Sequence, residues 1–273
     1  MRYRTMNGLL ALVLAVPAAA EGQAGKVEQR MTESAAAAVL LDDRDSQDIR
    51  RALALAVELG PRAGQELRAA VIEAAWTEVR REAAARAGFG LAGDDPDRMF
   101  LLFEAAEGFR DPRAIPLMIE ALKYGGGVFD ALADLGTAAF PAVLAAVNDL
   151  DGHPYRVSGG VTVLRFMVED GSFNGRQLEQ VRDAARERLS GTQDPFILRS
   201  AVRLALALGD PELRRTVERI ATDRVFAEAL VLDAFPLVAG SHDEDTDSVQ
   251  EYARLFLSGG GAAIGPVRRP GSG

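Results

Sequence analysis

The chain contains no cysteine, two histidines and one tryptophan in 273 residues. Without cysteine there are no disulfides, no thiolate zinc sites, no thiol nucleophile and no bacterial lipoprotein anchor. With His153 and His242 as the only histidines, a multi-histidine metal centre is excluded. Aromatic residues make up 6% of a chain that is 48% hydrophobic. The core must therefore be built from Ala, Leu and Val, which suit close helix packing better than a sandwich or barrel. Lysine is nearly absent: Lys26 and Lys123 are the only two among 31 basic residues. The formal charge is −9, and no basic cluster interrupts it. Neither a nucleic acid nor an anionic lipid surface suits such a chain, because both require clustered cations to neutralise phosphate. Enzyme signatures are missing too, with no G-x-S-x-G, P-loop, H-E-x-x-H or dinucleotide fingerprint. Gly125-Gly126-Gly127 follows no strand and joins two expected helices, so it does not read as a phosphate cradle.

One apolar run stands out, at the start. Residues 1–20 combine Arg2 and Arg4, the apolar stretch from Gly8 to Val16, and Pro17 before Ala18-Ala19-Ala20. That is the three-part plan of a secretory signal peptide. Its apolar stretch is shorter than the roughly 20 residues a membrane-spanning helix needs, and no later segment resembles a span. The expectation is an exported protein, periplasmic or secreted, with no stable membrane insertion after cleavage. Loss of Arg2 and Arg4 takes the formal charge from −9 to −11.

Residues 21–45 read as a linker with room for a first helix near 33–41. From 46 onward apolar residues recur at helical spacing. Gly60-Pro61 ends one helix and begins the next, with Gly at the C-terminal cap and Pro in the new first turn. Helices are expected over 46–59, from Pro61 to about Arg86, and over 97–110, 112–124, 138–149, 158–169, 175–190, 195–208, 211–222, 225–239 and 246–257. A short one is expected between Gly127 and Gly136. In the helix at 112–124, Ile115, Met118, Ile119 and Leu122 define one apolar face. Helix-pair starts at Asp111, Thr137, Asn174, Asp210 and Asp245 lie 26, 37, 36 and 35 residues apart. Helical hairpins repeating at such a period cannot bury their apolar faces singly, and they stack into a solenoid. Residues 258–273 are Gly-rich and read as a flexible tail.

Asp111-Pro112-Arg113-Ala114-Ile115-Pro116, Ala131-Leu132-Ala133-Asp134-Leu135-Gly136 and Leu206-Ala207-Leu208-Gly209-Asp210-Pro211 resemble the short bacterial type of HEAT repeat. In that family a first helix opens on Asp-Pro and a second, rich in Ala and Leu, ends on Leu-Gly. The resemblance spans about 46–257 and departs at 158–190, where Asp-Pro is missing. It implies an all-α fold, a right-handed α-α superhelix whose second helices line a concave face that commonly binds other proteins.

On that expectation the polar residues of the second helices are the candidate contacts: Arg50, Arg51, Glu104, Glu107, Asp130, Asp134, Arg165, Arg199, Arg203, Glu228 and Asp233. Arg199 and Arg203, at i and i+4, project from one face. With Arg165 they make a basic strip in an acidic protein. Arginine pairs bidentately with carboxylates, so the fitting ligand is a protein or acidic peptide segment. The alternative is a ladder of ion pairs between these arginines and glutamates of adjacent repeats.

Two acidic stretches offer a different function. Asp243, Asp245 and Asp247 match the first ligand spacings of an EF-hand loop, but Ser248 and Arg254 occupy the positions that need Gly and Glu. Asp149, Asp151, His153 and Tyr155 cluster in a second loop. The reading that follows is an exported, non-enzymatic repeat scaffold without a cofactor. Its alternatives are a calcium- or metal-linked envelope protein using 149–153 and 243–247, and an unrecognised hydrolase with Asp or Glu chemistry.

Overall fold

The computed structural model describes residues 31–42, 46–86, 96–149, 151–232 and 242–259. The chain divides into two units, Met1–Arg30 and Met31–Gly273, and all the described helices belong to the second. The expected leader at 1–20 and most of the expected tail lie outside the described residues, as do Asp233 and Leu150.

The described residues are all-α. They form thirteen α-helices: α1 (Glu33–Asp42), α2 (Ser46–Leu59), α3 (Gln65–Arg86), α4 (Pro96–Gly108), α5 (Ile115–Ala121), α6 (Val128–Asp134), α7 (Phe140–Asn148), α8 (Pro154–Glu169), α9 (Gly175–Ser190), α10 (Pro195–Leu208), α11 (Pro211–Thr222), α12 (Arg224–Leu230) and α13 (His242–Leu257). Short 3-10 turns at Pro112–Ala114 and Leu122–Tyr124 flank α5.

Asp-Pro sets several of these boundaries. Proline has no N–H to lose in the first turn, and its fixed φ suits the helix. The preceding Asp satisfies an orphan backbone donor. Asp111 accepts from the Arg113 N–H at 2.9 Å, Asp194 from Phe196 at 2.8 Å, and Asp210 from Glu212 at 2.8 Å. Asn174 and Gln177 form a reciprocal capping box at the start of α9. Gly209, at φ 63°, closes α10 in the left-handed conformation that glycine adopts most readily, and Asp210-Pro211 begins the next helix at once.

The helices pack in two rows. In one, α2, α4, α6, α8, α10 and α13 touch in succession; in the other, α1, α3, α5, α7, α9 and α11 do. Contacts such as α3 on α4, α7 on α8 and α9 on α10 hold the rows together. The buried apolar side chains form one continuous cluster from Ala36 in α1 to Ala253 in α13. Most are Ala, Val and Leu, so helix axes approach closely. α8 sits close to its neighbours: a Cβ on Gly159 would lie 3.0 Å from Leu122 Cβ and 3.1 Å from Phe129, and one on Gly160 would lie 2.9 Å from Val147. Two adjacent glycines mid-helix, unfavourable for helix propensity, are the condition for seating α8 against both rows.

The helix expected near 33–41 is α1, which packs on α2 and α3. Elsewhere the structure departs from the sequence expectation. The helix expected from Pro61 begins at Gln65, because Gly60–Arg62 form a 3-10 turn. α8 begins at Pro154 and not at 158, because His153 caps it through Nδ1, accepting from the Tyr155 N–H at 3.3 Å. α12 stops at Leu230 instead of running to 239. Its last carbonyl accepts from the Gln193 N–H at 2.7 Å, and the Leu232 N–H donates to the Gln193 carbonyl at 2.9 Å, which pulls the backbone into a parallel bridge. α13 begins at His242, four residues earlier than expected.

Candidate functional site

A helix with row neighbours on both flanks and the second row behind it has one face open to solvent. The row α2–α4–α6–α8–α10 carries Arg50 and Arg51, Glu104 and Glu107, Asp130 and Asp134, Arg165, and Arg199 and Arg203, so residues scattered over 150 positions come onto consecutive helices. Glu228 does not join them. It sits on α12, which packs on α11 and α13 outside the row, and it pairs with Arg224 at 2.7 Å. The place after α10 belongs to α13.

At α4 and α6 three carboxylates gather. Glu104 and Asp130 are exposed and Glu107 is half-buried between them. Burial raises the Glu107 carboxyl from its ordinary 4.5 to about 7, with the charges of Glu104 and Asp130 adding to the effect. Asp134 is also exposed and pairs with Arg110 at 2.9 Å. Beside this group, Arg50, Phe100, Leu101 and Glu104 line a shallow hollow of about 380 Å³ between α2 and α4.

At α8 and α10 the charge is positive. Arg165 is only 5% exposed. Its guanidinium donates to Glu169 at 2.7 Å and lies 4.4 Å from the Phe166 ring centroid. Burial, followed by the neighbouring Arg203, lowers its pKa. Arg199 stacks 4.5 Å over Phe196 and donates to Ser248 Oγ at 3.2 Å, while Arg203 stacks 5.1 Å over Phe256. The interhelix ladder of ion pairs is not formed here: among the described residues no carboxylate lies at ion-pair distance from Arg199 or Arg203, and Arg165 pairs within its own helix. The two guanidiniums are held in place by rings, a hydroxyl and, for Arg199, the Pro195 carbonyl at 3.3 Å, and the charge of Arg199 is felt by the Asp194 carboxylate that caps α10.

Sequence reasoning missed the part of α13 in this strip. Ser248, Tyr252 and Phe256 recur every four residues and face α10, so two i, i+4 stripes meet side by side. That spacing is visible in the sequence, but which helix it meets is not. Arg188 on α9 was missed as well: it is 2% exposed, donates Nη1 to Gln193 at 3.2 Å, and leaves Nε and Nη2 without hydrogen-bond partners.

Among the described residues neither acidic stretch gathers three metal-ligating side chains. Residues 242–247 are the first turns of α13 and not a loop, and Asp247 is engaged by Arg224. The side chain of Asp243 lies outside the described residues. Asp149 accepts from the Asp151 N–H at 3.2 Å and pairs with Arg156, so it closes a turn. No group of three or more His, Asp or Glu is placed to hold a metal among the described residues. No described helix is long and apolar enough to cross a membrane. The chain matches no family model, no curated protein and no solved structure.

Proposed function

We propose that this protein is an exported, non-enzymatic scaffold. On this reading its two helix rows are a HEAT-like right-handed superhelix, and the open face of the α2–α13 row binds a protein or acidic peptide segment. The observation that carries the reading is the pair Arg199 and Arg203, stacked on Phe196 and Phe256 with no carboxylate at ion-pair distance among the described residues. A guanidinium already ordered by a ring loses less entropy on meeting a carboxylate than a free one, and it offers two parallel donors. Export rests on the leader-like segment at 1–20. The absence of a cofactor and of catalysis is part of the same reading. The tightly engaged Asp149 and His153 favour a structural role for that loop over a hydrolytic one.

The test is affinity capture of the tagged protein from its own host after cross-linking, repeated with Arg199→Glu plus Arg203→Glu. One near-stoichiometric partner, lost on charge reversal while the helical circular dichroism stays intact, supports the reading. A partner retained undiminished by the reversed variant overturns it.

A further inference from the structure

Arg188 lies in the last turn of α9, in the other row from Arg199 and Arg203, and is 2% exposed. Only one of its nitrogens is engaged: Nη1 donates to Oε1 of Gln193 at 3.2 Å. Nε and Nη2 are buried and have no hydrogen-bond partner. These two nitrogens share one edge of the planar guanidinium, and their N–H groups run parallel along it. That is the edge on which arginine takes a carboxylate or another oxyanion through two bonds at once.

No carboxylate fills this role among the described residues. Glu187 and Asp149 are the charges that act on Arg188, and neither is at ion-pair distance from it. Asp149 is held by Arg156, and Glu187 is exposed beside Arg188 on the same helix. Burial lowers the Arg188 pKa. A guanidinium nevertheless keeps its proton wherever a protein is folded, so it has no neutral form to retreat to, as a buried lysine has. A charge that must stay buried and charged calls for a counter-charge, because leaving it single is costly.

The surroundings hold the guanidinium in one orientation. Gln193 belongs to the turn between α9 and α10, and its backbone is bonded on both sides. Its N–H donates to the Leu230 carbonyl at 2.7 Å, and its carbonyl accepts from the Leu232 N–H at 2.9 Å. The amide that receives Nη1 is therefore anchored at its root, and the Nε and Nη2 edge is set before any ligand arrives. A Cβ on Gly191 would lie 3.3 Å from Nε2 of Gln193, so the cover over Arg188 is close. Gly191 and Gln193 are themselves only half-buried. Solvent thus lies one residue beyond the guanidinium, and a position so covered suits a small anion and not a peptide.

We propose that Arg188 anchors a site for a small carboxylate-type oxyanion, held by Nε and Nη2 beneath the turn of Gly191 and Gln193. The site is separate from Arg199 and Arg203, so its failure leaves the scaffold reading untouched. The anion supplies the counter-charge at the end of α9, where Gln193 ties that helix to the end of α12.

Formate is the probe. Thermal unfolding of the protein as its host produces it is followed while sodium formate replaces sodium chloride at constant ionic strength. The wild-type midpoint should rise and then level off as the site saturates. Arg188→Met should lose the saturating rise. Arg188→Lys keeps the charge without the two-pronged edge and should need at least about ten-fold more formate. General salt effects move all three proteins alike. A second readout needs no variant: the Nε–H resonance of Arg188, assigned by through-bond NMR, should shift along the same saturation curve while those of exposed arginines stay in place. An equal response of wild type and Arg188→Met overturns the proposal, as does an Arg188 Nε–H resonance that formate leaves unmoved.

Discussion

A Cβ placed on Gly127 would lie 2.5 Å from Oε2 of Glu107, so the carboxyl of α4 rests directly on the glycine turn that leads into α6. Burial there, together with Glu104 and Asp130, holds Glu107 at about 7 instead of 4.5. Between those two values the native state keeps a proton that the unfolded chain has released. The stability linked to this group is therefore fully present below about 4.5 and is lost as pH rises through about 7. The full gap would correspond to roughly 3 kcal/mol, and solvent screening of a half-buried group reduces it to about 1–2 kcal/mol. Glu107→Gln should match the wild type in urea unfolding near pH 4.5 and exceed it by about 1 kcal/mol at pH 8. Equal pH slopes for the two proteins would show that folding does not perturb this carboxyl.

Gly159→Ala sets helix propensity against packing. Alanine gains about 1 kcal/mol over glycine in a helix interior. The new methyl group would lie 3.0 Å from Leu122 Cβ and 3.1 Å from the Leu122 carbonyl oxygen, and overpacking of this kind costs about 1–3 kcal/mol. The net expectation is a destabilisation of about 1 kcal/mol in urea unfolding, set against Gly175→Ala, where nothing lies within 4 Å. If both substitutions raise the midpoint alike, the close seating of α8 is wrong.

Glu78 in α3 is 7% exposed and accepts from Arg81 at 2.9 Å, with Arg98 of α4 at 3.2 Å. Glu78→Gln leaves Arg98 with a weakened partner in a mostly buried position, and a loss of about 2–3 kcal/mol is expected in chemical denaturation. Glu78→Met combined with Arg98→Met should recover most of it, because apolar side chains of similar volume need no counter-charge. A single variant as stable as the wild type would mean that the pair is solvated in solution.

Gly209 sits at φ 63° with open space around the position a Cβ would take. Gly209→Ala should therefore cost about 1 kcal/mol through backbone strain alone, and Gly209→Asn less, because Asn tolerates the left-handed region. Thermal unfolding of the two variants side by side checks the order.

Much of this architecture is legible in the chain because its determinants are local. An Asp-Pro step caps a helix wherever it occurs, and Gly209 followed by Asp210-Pro211 ends one helix and starts another within three residues. The stripe of Ile115, Met118 and Leu122 announces a buried face without naming what covers it. The errors fall where a partner distant in sequence decides the outcome. α12 ends at Leu230 because Gln193, 37 residues earlier, competes for its carbonyl. α8, by contrast, begins at Pro154 because the adjacent His153 caps it, a contact the sequence pattern does not announce.

The candidate site divides in the same way. Helical spacing alone puts Arg199 and Arg203 on one face and Glu104 and Glu107 on another, since a period of 3.6 residues requires it. It also determined that each apolar stripe would be buried, because an exposed stripe of Leu, Val and Ala leaves its hydrophobic free energy unspent. Packing of the rows brings Arg199 to Ser248, Arg203 to Phe256 and Glu107 onto Gly127, none of which the spacing within one helix could specify. Spacing along one helix places a charge on a face and can supply a partner one turn away, as Glu169 is for Arg165; which distant groups such as Ser248, Phe256 or Gly127 a charge also meets follows from how the rows pack.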